Sequence, residues 1–142
     1  MPVLSSSVST SSERYRENRR AMLALLDEVR GLEQKVRALS ASKQALFSKR
    51  GQILPRERIA TLLDKGSPWL EFSTLCGLGM HEDDGEENVF GGCLIAGIGY
   101  VSGVRCAIYA NDSAIKGGML APASIGKMQR LQTMAMENKL PF

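Results

Sequence analysis

Histidine, cysteine and long apolar runs are scarce in this chain of 142 residues. The only histidine, His81, leaves no second imidazole for a Ser–His or Cys–His relay, and it lies in an acidic stretch typical of a solvated loop. The three cysteines, Cys76, Cys93 and Cys106, are odd in number and form no CxxC pair. Such spacing argues against a disulfide framework and a zinc site, so we expect reduced, partly buried thiols and no metal.

No segment has the composition of a membrane span or a signal peptide. The longest uncharged run, 88–104, has 17 residues and five glycines, whereas a span needs about 20 mostly apolar residues. The first 12 residues are serine-rich, without basic or apolar signal regions. We therefore expect a cytoplasmic location, or the mitochondrial matrix if the protein is eukaryotic and its start is a targeting remnant.

Charge is nearly balanced, with 18 Lys and Arg against 15 Asp and Glu, and 44% of residues are hydrophobic. This composition excludes a wholly disordered chain. Residues 1–50 hold ten basic and five acidic side chains. Because the arginines from 14 to 20 alternate with glutamates, they indicate a solvated helix face, and we predict no nucleic-acid partner.

The N-terminal third predicts a tail over residues 1–12 and a helical arm over 13–50. Thr10–Glu13 has capping-box spacing. One apolar stripe follows with helical steps, and Gly31 is a candidate bend or break within it; the stripe consists of Met22, Leu25, Val29, Leu32, Val36, Leu39 and Leu46. A single stripe on so long a helix predicts packing on a partner or on the protein's own core.

Residues 51–142 predict an α/β domain that is incomplete. A helix starts at Pro55 with Ile59, Leu62 and Leu63 as its buried face, and a short strand follows at 69–72. Strands at 93–101 and 104–110, apolar on both faces, join through Ser102-Gly103 as a hairpin covered on both sides. The last helix is predicted from an N-cap at Ser124 to Asn138, with a new strand expected near Phe142.

Two segments are candidate ligand sites. Asn111–Gly118 follows a strand, and its Lys116, Gly117 and Gly118 suit a phosphate, carbonyl or oxyanion; a plain turn with a surface lysine is the alternative. Four basic side chains around 49–58 suit a polyphosphate or, alternatively, pair with Glu57 and Asp64; they are Lys49, Arg50, Arg56 and Arg58. Neither Gly126-Lys127 nor Gly97–Gly103 fits a P-loop or dinucleotide fingerprint.

Two blocks of sequence resemble the carboxyltransferase β subunits of biotin-dependent acyl-CoA carboxylases, the methylcrotonyl-, geranyl- and propionyl-CoA types. The first block is Lys49–Ile59 with Leu62–Pro68 and Glu71. The second holds Gly97–Gly99, Val101, Gly103, Ala110–Asp112, Lys116–Gly118, Pro122, Lys127, Arg130 and Glu137–Pro141. Asn111-Asp112 with the Gly-Gly loop favours the methylcrotonyl or geranyl type, although Met119 stands where many relatives have Ser or Thr.

The resemblance implies a crotonase-like spiral of ββα units, of which 51–142 is an incomplete N-terminal carboxyltransferase domain. It implies carboxyl transfer from carboxybiotin, carried by a biotin carboxylase/biotin carrier α subunit, to an acyl-CoA, in a β hexamer. It also implies that both oxyanion-hole segments lie beyond Phe142, so residues 1–142 hold no catalytic residue and are expected to be inactive alone. By the same resemblance, Lys116, Gly117 and Gly118 lie beside the CoA thioester or the path of its pantetheine arm.

Charge adds the hypothesis that Lys49, Arg50 and Arg56 bind CoA phosphates. Two other functions stay open at this point. One is a non-catalytic binding or assembly module that uses the helical arm. The other is a different enzyme of the crotonase superfamily, such as an acyl-CoA decarboxylase.

Overall fold

The computed structural model describes residues 6–142, which form two compact units that divide after Gly31. Helix α1 (Glu13–Ala41) begins in the first unit and ends in the second. Its N-cap is Ser12, whose Oγ accepts a hydrogen bond from the Tyr15 N–H at 3.2 Å. The prediction of a capping box with Thr10 as the N-cap is therefore wrong by two residues. The predicted start of the helix at Glu13 is confirmed. The predicted tail lies partly outside the described residues.

The apolar stripe of α1 has two different environments. In the second unit Val36 is buried and packs with Val89, Cys93 and Ile115, with Leu39 against them. In the first unit Met22, Leu25 and Val29 are about half exposed. The prediction that the arm packs on the protein's own core is thus confirmed for the C-terminal part of α1 only.

Helices α2 (Gln44–Lys49) and α3 (Pro55–Leu62) follow, joined by a short turn. Pro55 occupies the first turn of α3, where its missing N–H costs nothing, and Glu57 Oε2 accepts the Leu54 N–H at 2.9 Å. Ile59 is buried as predicted, but Leu62 is half exposed. The predicted buried face of α3 is wrong at that residue because the helix ends there and the chain turns away.

Three antiparallel strands form one sheet in the order β1 (Leu70–Glu71), β2 (Leu94–Val101), β3 (Val104–Asn111). The predicted hairpin is confirmed, with Val101 opposite Val104. Ser102 and Gly103 both have positive φ, as a two-residue hairpin turn requires. Asp64 caps this turn by accepting both backbone N–H groups at 2.7 Å.

The two hairpin strands differ in burial. β2 is buried over most of its length, whereas Val104 and Tyr109 of β3 are exposed. Helix α4 (Pro122–Glu137) packs Leu131 and Ala135 on Ala96 and Ala107 and so covers one face. The prediction that both strands are covered on both faces is wrong for β3, because β3 is the edge strand of the described sheet and two of its residues on opposite faces, Val104 and Tyr109, are exposed.

Helix α4 begins two residues before its predicted cap. Ala121 is the N-cap, and Ser124, inside the first turn, accepts the Ala121 N–H through Oγ at 3.2 Å. The helix ends before Asn138, but the left-handed residue is Lys139. Beyond it, the Pro141 carbonyl accepts the Ala107 N–H at 2.8 Å, so the backbone lies beside the outer edge of β3. Within residues 6–142, every helix is too short or too polar to cross a bilayer.

Glycines in β2 make room for Trp69. A Cβ on Gly97 would stand 2.5 Å from the Leu70 carbonyl oxygen and 2.6 Å from the indole ring. A Cβ on Gly99 would likewise collide with Leu63 and the indole. The glycines that fail the dinucleotide fingerprint therefore serve packing, since they allow β1 and Trp69 to approach β2.

We expect Gly97→Ala to lower the free energy of unfolding by about 1–3 kcal/mol, because the backbone of β1 must move. The matched control is Gly126→Ala in α4, where a Cβ meets nothing within 4 Å. That change should raise stability by about 0.5–1 kcal/mol. Urea unfolding of both variants measures the effect, and equal effects at the two positions would contradict the packing argument.

Candidate functional site

The loop after β3 is held in a left-handed conformation over three consecutive residues. Lys116, Gly117 and Gly118 have φ of 45°, 68° and 75°. A Cβ on Gly118 would come within 3.2 Å of Asn111 and Ser113, and Asn111 Nδ2 donates to the Gly118 carbonyl at 3.2 Å. Gly117, by contrast, faces open space. The first segment predicted as a ligand site is thus a tight, folded loop rather than a loose turn.

Lys116 is not a free surface lysine. Its Nζ pairs with the Glu82 carboxylate and lies 4.1 Å from the centroid of the Phe90 ring. The Glu82 side chain is 78% exposed and that of Lys116 only 30%. An exposed ion pair contributes little net free energy, so Glu82 is a partner that an anion can displace.

The predicted basic cluster separates in the structure. The two terminal guanidinium nitrogens of Arg56, Nη1 and Nη2, donate to the carboxylate of Glu71 in a bidentate pair, at 2.7 and 2.9 Å. Since Glu57 and Asp64 accept backbone N–H groups, the alternative prediction that they pair with these basic residues is wrong for Arg56. Lys49 and Arg50 are exposed at the end of α2.

One apolar cluster joins the α2–α3 turn to the loop after β3. Phe47, Leu54 and Ala114 pack together and are each buried. Arg50 lies in the turn between the first two, and Lys116 lies two residues after the third. The segments that carry Arg50 and Lys116 are thus anchored on the same apolar cluster. Arg56, in contrast, pairs with Glu71.

A buried aspartate fixes the start of the loop. Asp112 is 2% exposed, and its Oδ1 accepts hydrogen bonds from Ser40 Oγ at 3.0 Å and the Ala114 N–H at 3.3 Å. Burial raises the pKa of Asp112, while these hydrogen bonds act in the opposite direction. The end of α1 therefore holds the loop through a contact that neither segment shows in its own sequence pattern.

A buried lysine of α4 binds the chain segment that leads into β2. Lys127 of α4 is 4% exposed and donates to the carbonyls of Leu94 at 2.5 Å and Gly91 at 3.2 Å. Ser124 donates to the Gly92 carbonyl one turn earlier. Burial lowers the pKa of Lys127 to about 8, partly offset by Glu71. A neutral amine still has two N–H groups for these two carbonyls.

A cavity of about 250 Å³ lies beside Lys116 and the start of α4. Its apolar lining includes Met80, Phe90, Met119, Leu120 and Pro122, and its polar lining includes Glu82, Asp83 and Lys116. Cys76 and Cys93 also border it, and both are free thiols, as predicted. Burial raises the pKa of each, so both are protonated near neutral pH.

Asp83 and its neighbours are the residues that sequence reasoning missed. The segment from His81 is predicted to be a solvated acidic loop, yet Asp83 is 4% exposed and its Oδ2 accepts the Phe90 N–H at 3.0 Å. The prediction is wrong at Asp83. The only local signal is the return to apolar residues at Val89 and Phe90. Within residues 6–142, no three metal-ligating side chains cluster.

The lowered pKa of Lys127 predicts a pH-dependent stability. Below about pH 8 the amine is charged in both states, so the full cost of burying the charge is present. From there to pH 10.5 the folded state loses its proton first, and the free energy of unfolding rises by on the order of 3 kcal/mol. Urea unfolding against pH measures this rise.

Lys127→Met should lack this rise, because methionine does not titrate. Lys43→Met, at an exposed position, should keep it. Identical pH profiles for the wild type and Lys127→Met would contradict the assignment.

A protein-family model described as the carboxyl transferase domain matches residues 47–142. The chain is 43% identical over 140 residues to a probable methylcrotonoyl-CoA carboxylase beta chain, mitochondrial, of Drosophila melanogaster, covering 98% of this chain and 24% of that relative. It is 32% identical over 98 residues to a propionyl-CoA carboxylase beta chain of Cereibacter sphaeroides, covering 66% of this chain and 18% of that relative.

Among solved structures, the beta subunit of geranyl-CoA carboxylase from P. aeruginosa superposes with a TM-score of 0.88 at 49% identity. The match covers 99% of this chain and 26% of that chain. The chain therefore spans about a quarter of the length of these relatives.

Proposed function

The chain belongs to the carboxyl transferase family, and we propose that it is part of a β subunit that transfers a carboxyl group from carboxybiotin to an acyl-CoA. The observation that carries this proposal is similarity over nearly the whole chain to relatives named as methylcrotonoyl- and geranyl-CoA carboxylase beta chains. Identity to the propionyl-CoA relative is lower and covers less of the chain. A methylcrotonyl-CoA-like substrate is therefore favoured.

The proposed architecture is the N-terminal part of a crotonase-like spiral over 51–142, preceded by the helical arm over 13–50. The hairpin β2–β3 followed by α4 has the order of one ββα unit. The Pro141 carbonyl bonded to β3 supports a further strand at that edge. In this architecture the backbone N–H groups that stabilise the enolate lie in segments after Phe142.

The residues present here bind and position the substrate. Lys116 supplies positive charge for CoA, and the Gly117-Gly118 backbone allows the thioester arm to approach closely. Exposed Arg50, with Lys49, attracts the CoA phosphates at the neighbouring turn. Arg56 is proposed for the same role from its charge, but a phosphate there must share the guanidinium with Glu71.

The reaction requires partners and a carried cofactor. When bound, biotin supplies the carboxyl group as carboxybiotin, on a biotin carboxylase/biotin carrier α subunit. The β subunits are proposed to form a hexamer. The relative from Drosophila melanogaster is named as mitochondrial, and we propose the mitochondrial matrix for a eukaryotic source and the cytoplasm otherwise.

The first test is carboxylation by the full-length β subunit with its biotin-carrying partner. Incorporation of labelled bicarbonate with ATP is measured with methylcrotonyl-, geranyl- and propionyl-CoA. We expect the highest kcat/KM with a branched unsaturated acyl-CoA. Residues 1–142 alone should show none. Biotin-independent release of CO2 from a carboxyacyl-CoA would instead indicate a decarboxylase.

A second test addresses the Glu82–Lys116 pair. In the full-length protein we expect Lys116→Met to weaken CoA binding about tenfold, since one charge-assisted contact is lost. Glu82→Gln should tighten binding severalfold, because the competing carboxylate is removed. Isothermal titration calorimetry measures both, with Lys65→Met, at an exposed position, as the control for net charge. Equal effects of the two lysine variants would contradict a specific role for Lys116.

A further inference from the structure

Ser40 joins the last turn of α1 to the loop after β3. The residue is 1% exposed, and its Oγ donates a hydrogen bond to Asp112 Oδ1 at 3.0 Å. One helical turn earlier, on the same face of α1, Val36 packs in one apolar cluster with Ile115 of that loop. The loop is therefore fixed to α1 by an apolar and a polar contact, and Ser40 makes the polar one.

The chain between Asp112 and Lys116 has little room for independent movement. Ala114 and Ile115, the two residues before Lys116, are buried. The Ala114 N–H donates to Asp112 Oδ1 at 3.3 Å, and the Ile115 N–H donates to the Asp112 carbonyl at 2.9 Å. Closely packed segments transmit displacements instead of absorbing them. A shift of the Asp112 side chain therefore also moves the backbone that carries Lys116.

Ser40 supplies one of the two hydrogen bonds that Asp112 Oδ1 accepts from the described residues. Without the Ser40 hydroxyl, Oδ1 keeps only the bond from the Ala114 N–H, which is the longer of the two. Losing a partner inside the protein costs free energy, and the cost is greater for a charged group than for a neutral one. The carboxylate then moves toward another donor, and the loop moves with it.

We propose that Ser40 is a positioning residue for carboxyl transfer, which acts through Asp112 to fix the place of Lys116. This inference rests on the proposed function, in which Lys116 supplies positive charge for CoA. It gives the C-terminal end of α1 a part in substrate binding, although Ser40 is buried and acts only through the loop. The charge of Lys116 serves the CoA moiety before and during the reaction, so its misplacement raises KM and leaves kcat nearly unchanged.

Ser40→Ala in the full-length protein, assayed with its biotin-carrying partner, tests the proposal. Alanine preserves the helix, and we expect KM for the acyl-CoA to rise about fivefold with kcat within twofold of wild type. A merely structural role has a different signature, since a smaller folded fraction lowers the apparent kcat and leaves KM unchanged. The matched control is Ser42→Ala, at an exposed position where Oγ donates to the Leu39 carbonyl, which should change KM less than twofold. An unchanged KM for Ser40→Ala, or an equal rise at Ser42, would overturn the proposal.

A double-mutant cycle with Lys116→Met tests whether Ser40 acts through Lys116. Once residue 116 carries no charge, its position has no effect on CoA binding, so adding Ser40→Ala should raise KM less than twofold. An equal rise in KM in both backgrounds would overturn the proposal and leave the proposed function intact. Absence of carboxylation by the wild-type full-length protein with its partner would instead remove the proposed function, and the role of Ser40 with it.

Discussion

The buried amine of Lys127 is the contact on which the rest of the site depends. It reaches from α4 to the carbonyls of Gly91 and Leu94, at the point where the chain enters β2. Ser124 binds the intervening carbonyl of Gly92. Carbonyls released from such contacts inside a core would be unsatisfied at a cost of about 1–3 kcal/mol each. One helix therefore sets both the start of the central strand and one wall of the cavity.

Two further polar contacts join helices α3 and α1 to other parts of the fold. Arg56 and Glu71 join α3 to β1, and Ser40 joins the end of α1 to Asp112. Removing one member of such a pair leaves an uncompensated charge or polar group. The start of the loop at Lys116 is thus held by Ser40 of α1, and Asn111 Nδ2 closes the loop on the Gly118 carbonyl, which helps a left-handed backbone over three residues to persist. The apolar clusters stabilise the fold by burying nonpolar surface. The directional polar contacts fix how the joined elements are positioned.

The sequence predicts most of the elements because their signals are local. Pro55, the Ser102-Gly103 turn and the apolar run of β2 act through their own backbone preferences. Prediction from the sequence fails where the burial or pairing of a residue depends on residues far away in the chain. β3 has the same apolar pattern as β2, but it is the edge strand, and its Val104 and Tyr109 are exposed. Asp83 sits among acidic residues, yet its burial follows from the Phe90 N–H and the cavity walls. Arg56 pairs with Glu71, which is 15 residues away, rather than with its neighbour Glu57.

The hydrogen bond between Ser40 and Asp112 also bears on the order of folding. It closes a segment of 72 residues, whereas the β2–β3 hairpin closes through two. Loop-closure entropy must be overcome before a distant contact contributes stability, so local pairings form first. The hairpin is then a template on which the end of α1 docks late. On this argument the loop at Lys116 acquires its shape only in that last step, so an incompletely folded chain lacks the site proposed there.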